Sequence, residues 1–116
     1  MKRGDICWAN LAPRSGSEQT GRRPVIVISH DGFNQTAAWR SIIVIPVSSS
    51  TSQSRRGPTV VQLPSGTAGL PDTSTAVCHQ VTTLDRLKLE EPFGVIPPNL
   101  IKKIEKALMT AVSIAT

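Results

Sequence analysis

Two uninterrupted β-branched runs, Val25-Ile26-Val27-Ile28 and Ile42-Ile43-Val44-Ile45-Pro46-Val47, do most to decide how this chain folds. Val and Ile are stiff at χ1 and suit a pleated surface better than a helix. Short apolar runs without polar alternation fit strands covered on both faces. Pro46 places an edge or a bulge near the end of the second run. Ile6 to Leu11 alternates as a half-buried first strand that Pro13 ends. Pro58 to Leu63, Ser74 to Val81 and Phe93 to Ile96 also read as strands. Asp31 to Asn34 is turn material, Thr36 to Arg40 a short helical turn, and Pro64 to Pro71 a Gly- and Pro-rich turn. Helical periodicity is convincing only at the C-terminus. There Leu100, Ile101, Ile104, Leu108, Ala111 and Val112 share a face, and Asn99 supplies the N-cap.

The chain has 116 residues, enough for one modest core, so a single domain over 1–116 is expected. So few residues cannot cover a flat open sheet on both faces. Five to seven short strands with a C-terminal helix therefore predict an α+β, mainly β fold, a strongly bent sheet or partly open barrel.

The net charge of +5 lies entirely in the first half, where residues 1–56 carry eight basic groups against three acids. Seven of those eight are Arg, whose planar fork suits phosphate oxygens. Nucleic acid is the natural partner of such a face, and a solvated basic surface is the bland alternative. No apolar run approaches the roughly 18 residues of a membrane span, and Met1-Lys2-Arg3-Gly4-Asp5 leads into a mixed segment, so a cytoplasmic protein is expected. Cys7 and Cys78 read as small buried apolar residues, not as a metal or redox pair.

The acids are too scattered for a two-metal phosphodiesterase site, and no phosphate-binding Gly loop is present, so neither metal nor nucleotide cofactor is expected. His30, in a turn, and His79, in an apolar strand, make a poor acid–base pair. What remains is a polar loop, Gly16-Ser17-Glu18-Gln19-Thr20-Gly21-Arg22-Arg23-Pro24, fastened to the first apolar run. If the two runs are antiparallel neighbours, Arg23 and Ser48 fall at the same end of the sheet. Alone, Arg23 fits an ordinary ion pair with Glu18, and Ser48 fits the first polar residue of a loop. The segment Ser48 to Gly57 holds no hydrophobic residue and reads as a mobile loop.

The pattern Arg3-Gly4-Asp5-Ile6-x-Trp8-Ala9-x-Leu11-x-Pro13, followed by Gly16-Ser17-Glu18-Gln19-x-Gly21-x-Arg23-Pro24-Val25-x-Val27-x-Ser29, resembles the N-terminal signature of the MazF/PemK toxins of toxin–antitoxin systems. The likeness continues through Asn34, Val44-x-Pro46-x-Ser48-Ser49, Gln80 and the helical tail. It implies an SH3-like barrel and a metal-independent, sequence-specific endoribonuclease acting on single-stranded RNA as a homodimer. It implies, too, a cognate antitoxin with an acidic disordered tail, for which the basic half of the chain is a suitable counter-surface.

By position, the resemblance makes Arg23 the catalytic Arg, Glu18 its nearby carboxylate, and Ser48 the hydroxyl, where most members carry Thr. Ser keeps the donor and acceptor but lacks the methyl that restricts χ1. Ser49 or Thr51 could share its role. Arg22, Ser17, Gln19, Ser49, Thr51 and Gln80 are candidate substrate contacts. Trp8 reads as core in preference to groove wall. Two rival classes stay open: a non-enzymatic gyrase-binding toxin of the CcdB kind, and a plain RNA- or DNA-binding module.

Overall fold

The computed structural model describes residues 1–11, 16, 21–50 and 57–115. Seven strands run in order: β1 (Asp5–Asn10), β2 (Arg22–Val27), β3 (Ser41–Ser48), β4 (Val60–Leu63), β5 (Ser74–Val77), β6 (Thr82–Asp85) and β7 (Leu89–Val95). A single turn of helix, α1 (Asp31–Asn34), follows β2, and α2 (Pro98–Ala111) closes the chain. Every pairing is antiparallel, and the sheet order β4-β5-β3-β2-β1-β7 leaves its two ends unpaired with each other. The mainly β fold with a C-terminal helix is thus present, as an open sheet.

The two apolar runs are neighbours, as expected. Val25, Ile26 and Val27 of β2 stand opposite Pro46, Ile45 and Val44 of β3. Both strands are covered on both faces. Ile26, Ile45 and Val47 pack with Leu100, Ile104 and Ala107 of α2, while Val25, Val27, Ile42 and Val44 pack with Cys7 and Leu84 on the other side. Complete burial of such a side chain contributes about 1.5–3 kcal/mol. Both cysteines are free and buried, and desolvation is the main force that pushes their thiols up, to about 11 for Cys7 and about 12 for Cys78.

Pro46 proves to be neither at a sheet edge nor at a bulge. The far edge of β3 is shared: Ser41 to Val44 pair with β6, and Val47 and Ser48 pair with β5. Pro46 sits at the hand-over, where a missing N–H costs nothing on that side. Five other local expectations change. β2 begins with Arg22, so both arginines belong to the strand. β5 ends at Val77, and Cys78–Gln80 form a 3₁₀ turn. β6 was not expected, and β7 starts at the polar Leu89-Glu90-Glu91. The cap of α2 is Pro97 with Pro98 in the first turn, so Asn99 lies inside the helix.

One close approach couples two distant parts of the chain. A Cβ on Gly94 of β7 would collide with the carbonyl oxygen of Ala68. Ala68 itself has φ 50°, in the turn Thr67–Gly69 that leads to Leu70 and Pro71. Only glycine fits against that turn.

Candidate active site

A shallow cavity of about 130 Å³ opens where β2 begins and β3 ends. Arg22, Arg23 and Pro24 enter it from β2, Val47 from β3 and Ser49 from just past its end. Trp8 of β1 forms a wall, and Leu70, Pro71, Asp72 and Ser74 close the opposite side. The antiparallel register of β2 and β3 ends at Val25 opposite Pro46, so Arg23 and Ser48 lie toward the same end of the two strands. Ser48 itself does not line the cavity.

Their exposures differ. Arg23 is half-buried and Ser49 is exposed, whereas Ser48 is only 2% exposed. The Ser48 hydroxyl oxygen accepts a hydrogen bond from the Ser50 backbone N–H at 3.1 Å. Its own proton stays available for donation.

Arg22 is held from two sides. Its guanidinium carbon stands 4.4 Å from the Trp8 ring centroid, and Nε and an Nη donate to the two oxygens of Glu90 at 2.8 and 2.9 Å. This fork-on-carboxylate geometry is the strong form of the contact. The hydrogen bonds from Arg22 hold the Glu90 carboxyl below the usual carboxylate range. Trp8 is half-buried and meets Phe93 with 5.7 Å between centroids, so it is groove wall more than core.

Gln80 lies half-buried in the turn after β5 and does not line the cavity. Ser17, Glu18, Gln19 and Thr51 lie outside the described residues. His30 caps α1 by accepting from the Gly32 N–H, and the His79 ring is 2.8 Å from the Thr59 hydroxyl, so each imidazole has a local structural partner. Among the described residues, no cluster of His, Cys, Asp or Glu could hold a metal ion, and no helix is long and apolar enough to cross a membrane. Asp72 was missed from sequence because it sits in a stretch whose Gly and Pro residues signal only a turn.

The fold and cavity together define a small, mainly β protein with a cationic, hydroxyl-bearing site suited to an anionic ligand. Residues 2–112 match the family of PemK-like, MazF-like toxins of type II toxin–antitoxin systems. The chain is 32% identical over 108 residues to Endoribonuclease MazF6 of Mycobacterium tuberculosis and to Endoribonuclease MazF2 of Mycobacterium bovis, covering 93% of each sequence. Its fold is similar to a mycobacterial endoribonuclease in complex with its cognate antitoxin (TM-score 0.78, 22% identity, 100% of this chain and 98% of that one). It is also similar to MazF from Deinococcus radiodurans (TM-score 0.79, 24% identity, 97% and 96% covered). The chain belongs to the PemK/MazF toxin family.

Proposed function

We propose that this protein is the toxin of a type II toxin–antitoxin pair and a metal-independent endoribonuclease that cuts single-stranded RNA at a short sequence motif. The observation that supports the mechanism is a cavity lined by Arg23 and Ser49, with Ser48 buried next to it at the end of β3. Cleavage without a metal uses the ribose 2′-hydroxyl as nucleophile. The 2′ oxygen bonds to the adjacent phosphorus, the bond from phosphorus to the 5′ oxygen breaks, one proton leaves the 2′ oxygen and one joins the 5′ oxygen. The products are a 2′,3′-cyclic phosphate and a 5′-hydroxyl end.

The protein supplies alignment and charge stabilisation. Arg23 clamps the non-bridging phosphate oxygens as negative charge grows, because a guanidinium stays charged and is a poor proton carrier. Ser48 adds a hydroxyl donor, reached once the Ser49-Ser50 backbone moves aside. Glu18, on sequence grounds, accepts the 2′ proton. Ser17, Gln19, Arg22, Ser49, Thr51 and Gln80 contact substrate. The reading further takes residues 1–116 as one domain, acting as a homodimer in the cytoplasm and countered by an antitoxin whose acidic tail is drawn to the basic half of the chain.

The test is purified protein with labelled single-stranded RNA in EDTA. Cleavage is expected, with Arg23→Ala slower by about 10²–10³-fold in kcat. RNA left intact across diverse sequences overturns the nuclease. Binding that weakens in Arg23→Ala without any cleavage assigns a plain RNA-binding module instead.

A further inference from the structure

Asp72 is out of character for a phosphate site. It is an exposed carboxylate on the wall of a cavity entered by Arg22 and Arg23, and it makes no hydrogen bond or ion pair to another described residue through its side chain. Its backbone, in contrast, is fastened on both sides. The Ser65 hydroxyl donates to the Pro71 carbonyl at 2.9 Å, the Ser74 hydroxyl donates to the Asp72 carbonyl at 3.0 Å, and Leu70 is 3% exposed. A carboxylate with a fastened backbone and no side-chain partner among the described residues is placed to accept from a ligand.

The ligand group cannot be a phosphate, which a carboxylate repels. The cavity therefore offers two kinds of group: Arg23 for the anionic backbone and Asp72 for a donor edge. Leu70, Pro71, Pro24 and Val47 line the same cavity and supply apolar surface for the face of a planar ring. In single-stranded RNA the Watson–Crick edges of the bases are open to such contacts. Two carboxylate oxygens match two adjacent donors. Guanine offers them as N1–H and the N2 amino group. Adenine and cytosine place an acceptor beside their single amino group, and uracil flanks its one donor with two acceptors, so each sets an acceptor against the carboxylate.

We propose that Asp72 is the specificity-determining residue of this cavity and selects a guanine beside the scissile phosphate, a reading that rests on the endoribonuclease assignment above. The selection is made through the Watson–Crick edge and leaves N7 of the base uncontacted.

The test sequences the 5′-hydroxyl ends released from a random single-stranded RNA pool, and measures binding of oligonucleotides made non-cleavable by a 2′-deoxy sugar at the cut. Wild type is expected to show guanine enriched at a fixed position near the cut. Inosine there, which lacks the N2 amino group, should weaken both kcat/KM and binding about tenfold, while 7-deazaguanine should behave as guanine. Asp72→Asn should bring the guanine-to-inosine ratio close to one, and Asp72→Glu, which keeps the charge but moves it, should lower it part of the way. Because the backbone of Asp72 carries its structural contacts, Asp72→Asn should melt with the wild type. Absence of a guanine preference, or an unchanged ratio in Asp72→Asn, overturns the assignment while leaving the nuclease intact. If no RNA is cut, guanine-dependent binding that Asp72→Asn abolishes still supports the Asp72 contact, and its absence overturns it.

Discussion

The Arg22 guanidinium lies over the Trp8 ring, 4.4 Å from its centroid, while gripping Glu90 with two hydrogen bonds. Arg22 is on β2, Trp8 on β1 and Glu90 on β7, so one exposed side chain ties three successive strands. Arg22→Ala should expose the Trp8 face and weaken RNA binding in a salt-dependent manner, with kcat changed far less than by loss of Arg23. Fluorescence anisotropy with RNA across a salt series checks this.

Acid should loosen the fold through three carboxylates. Asp31 is lowered by the Arg3 backbone N–H, Asp85 by the Leu87 backbone N–H and then Arg40, and Glu90 by Arg22. A carboxyl lowered by folding stabilises above its ordinary value, and that contribution is lost as pH falls through the lowered one. Stability should thus hold above about pH 5 and decline below about pH 4. Melting curves from pH 7 to pH 3 should show a shallower acid limb for Glu90→Gln, and an unchanged limb contradicts the linkage.

Ser48 and Ser49 should respond differently to alanine. Ser48→Ala removes the acceptor for the Ser50 N–H along with the hydroxyl donor, so kcat should fall about 10²-fold and stability by about 1 kcal/mol. Ser48→Thr should keep activity. Ser49→Ala, at an exposed position, should raise KM with little change in kcat or melting temperature. Steady-state kinetics paired with calorimetry separates the two, and the reverse pattern would transfer the catalytic hydroxyl to Ser49.

Gly94→Ala should destabilise by about 1–3 kcal/mol, because the new methyl meets the Ala68 carbonyl, a backbone atom that cannot swing away. The urea midpoint reads this directly.

Arg86 donates to the carbonyls of Phe33, Asn34, Thr36 and Trp39, pinning the connection between α1 and β3. Arg86→Ala should cost about 1–3 kcal/mol. That connection leaves β2 at the end remote from Arg23, so RNA cleavage per folded molecule should be unaffected, as an active-site titration can show.

The strands visible in sequence are those whose burial is written in their own residues. β2 and β3 are Val and Ile on both faces, and α2 repeats its apolar positions at helical spacing. β6 was invisible because Thr82-Thr83-Leu84-Asp85 buries only Leu84; it is a strand by virtue of pairing with Ser41 to Val44. The start of β7 was hidden for a related reason. Glu90 and Glu91 lie on a sheet edge, where one is needed to hold Arg22.

The site was legible to a similar degree. Arg23 and Ser48 could be set at one end of the sheet from chain direction alone. Asp72 could not be added to them, because the Pro64 to Asp72 turn reaches the cavity through its contact with β7 at Gly94, which no local pattern encodes.

The divided edge of β3 has a mechanical meaning. The β4–β5 pair is stitched to the rest of the sheet by two residue pairs, Val47 with Ala76 and Ser48 with Thr75. That short seam runs beneath the cavity, with Arg23 on one bank and Ser74 on the other. The seam has only two backbone rungs, although Val61, Leu63 and Ala76 still share the apolar cluster of Ile26, Ile45 and Val47 behind it. Amide exchange at Ala76 and Thr75 should then run ahead of exchange at Ile26 and Ile45.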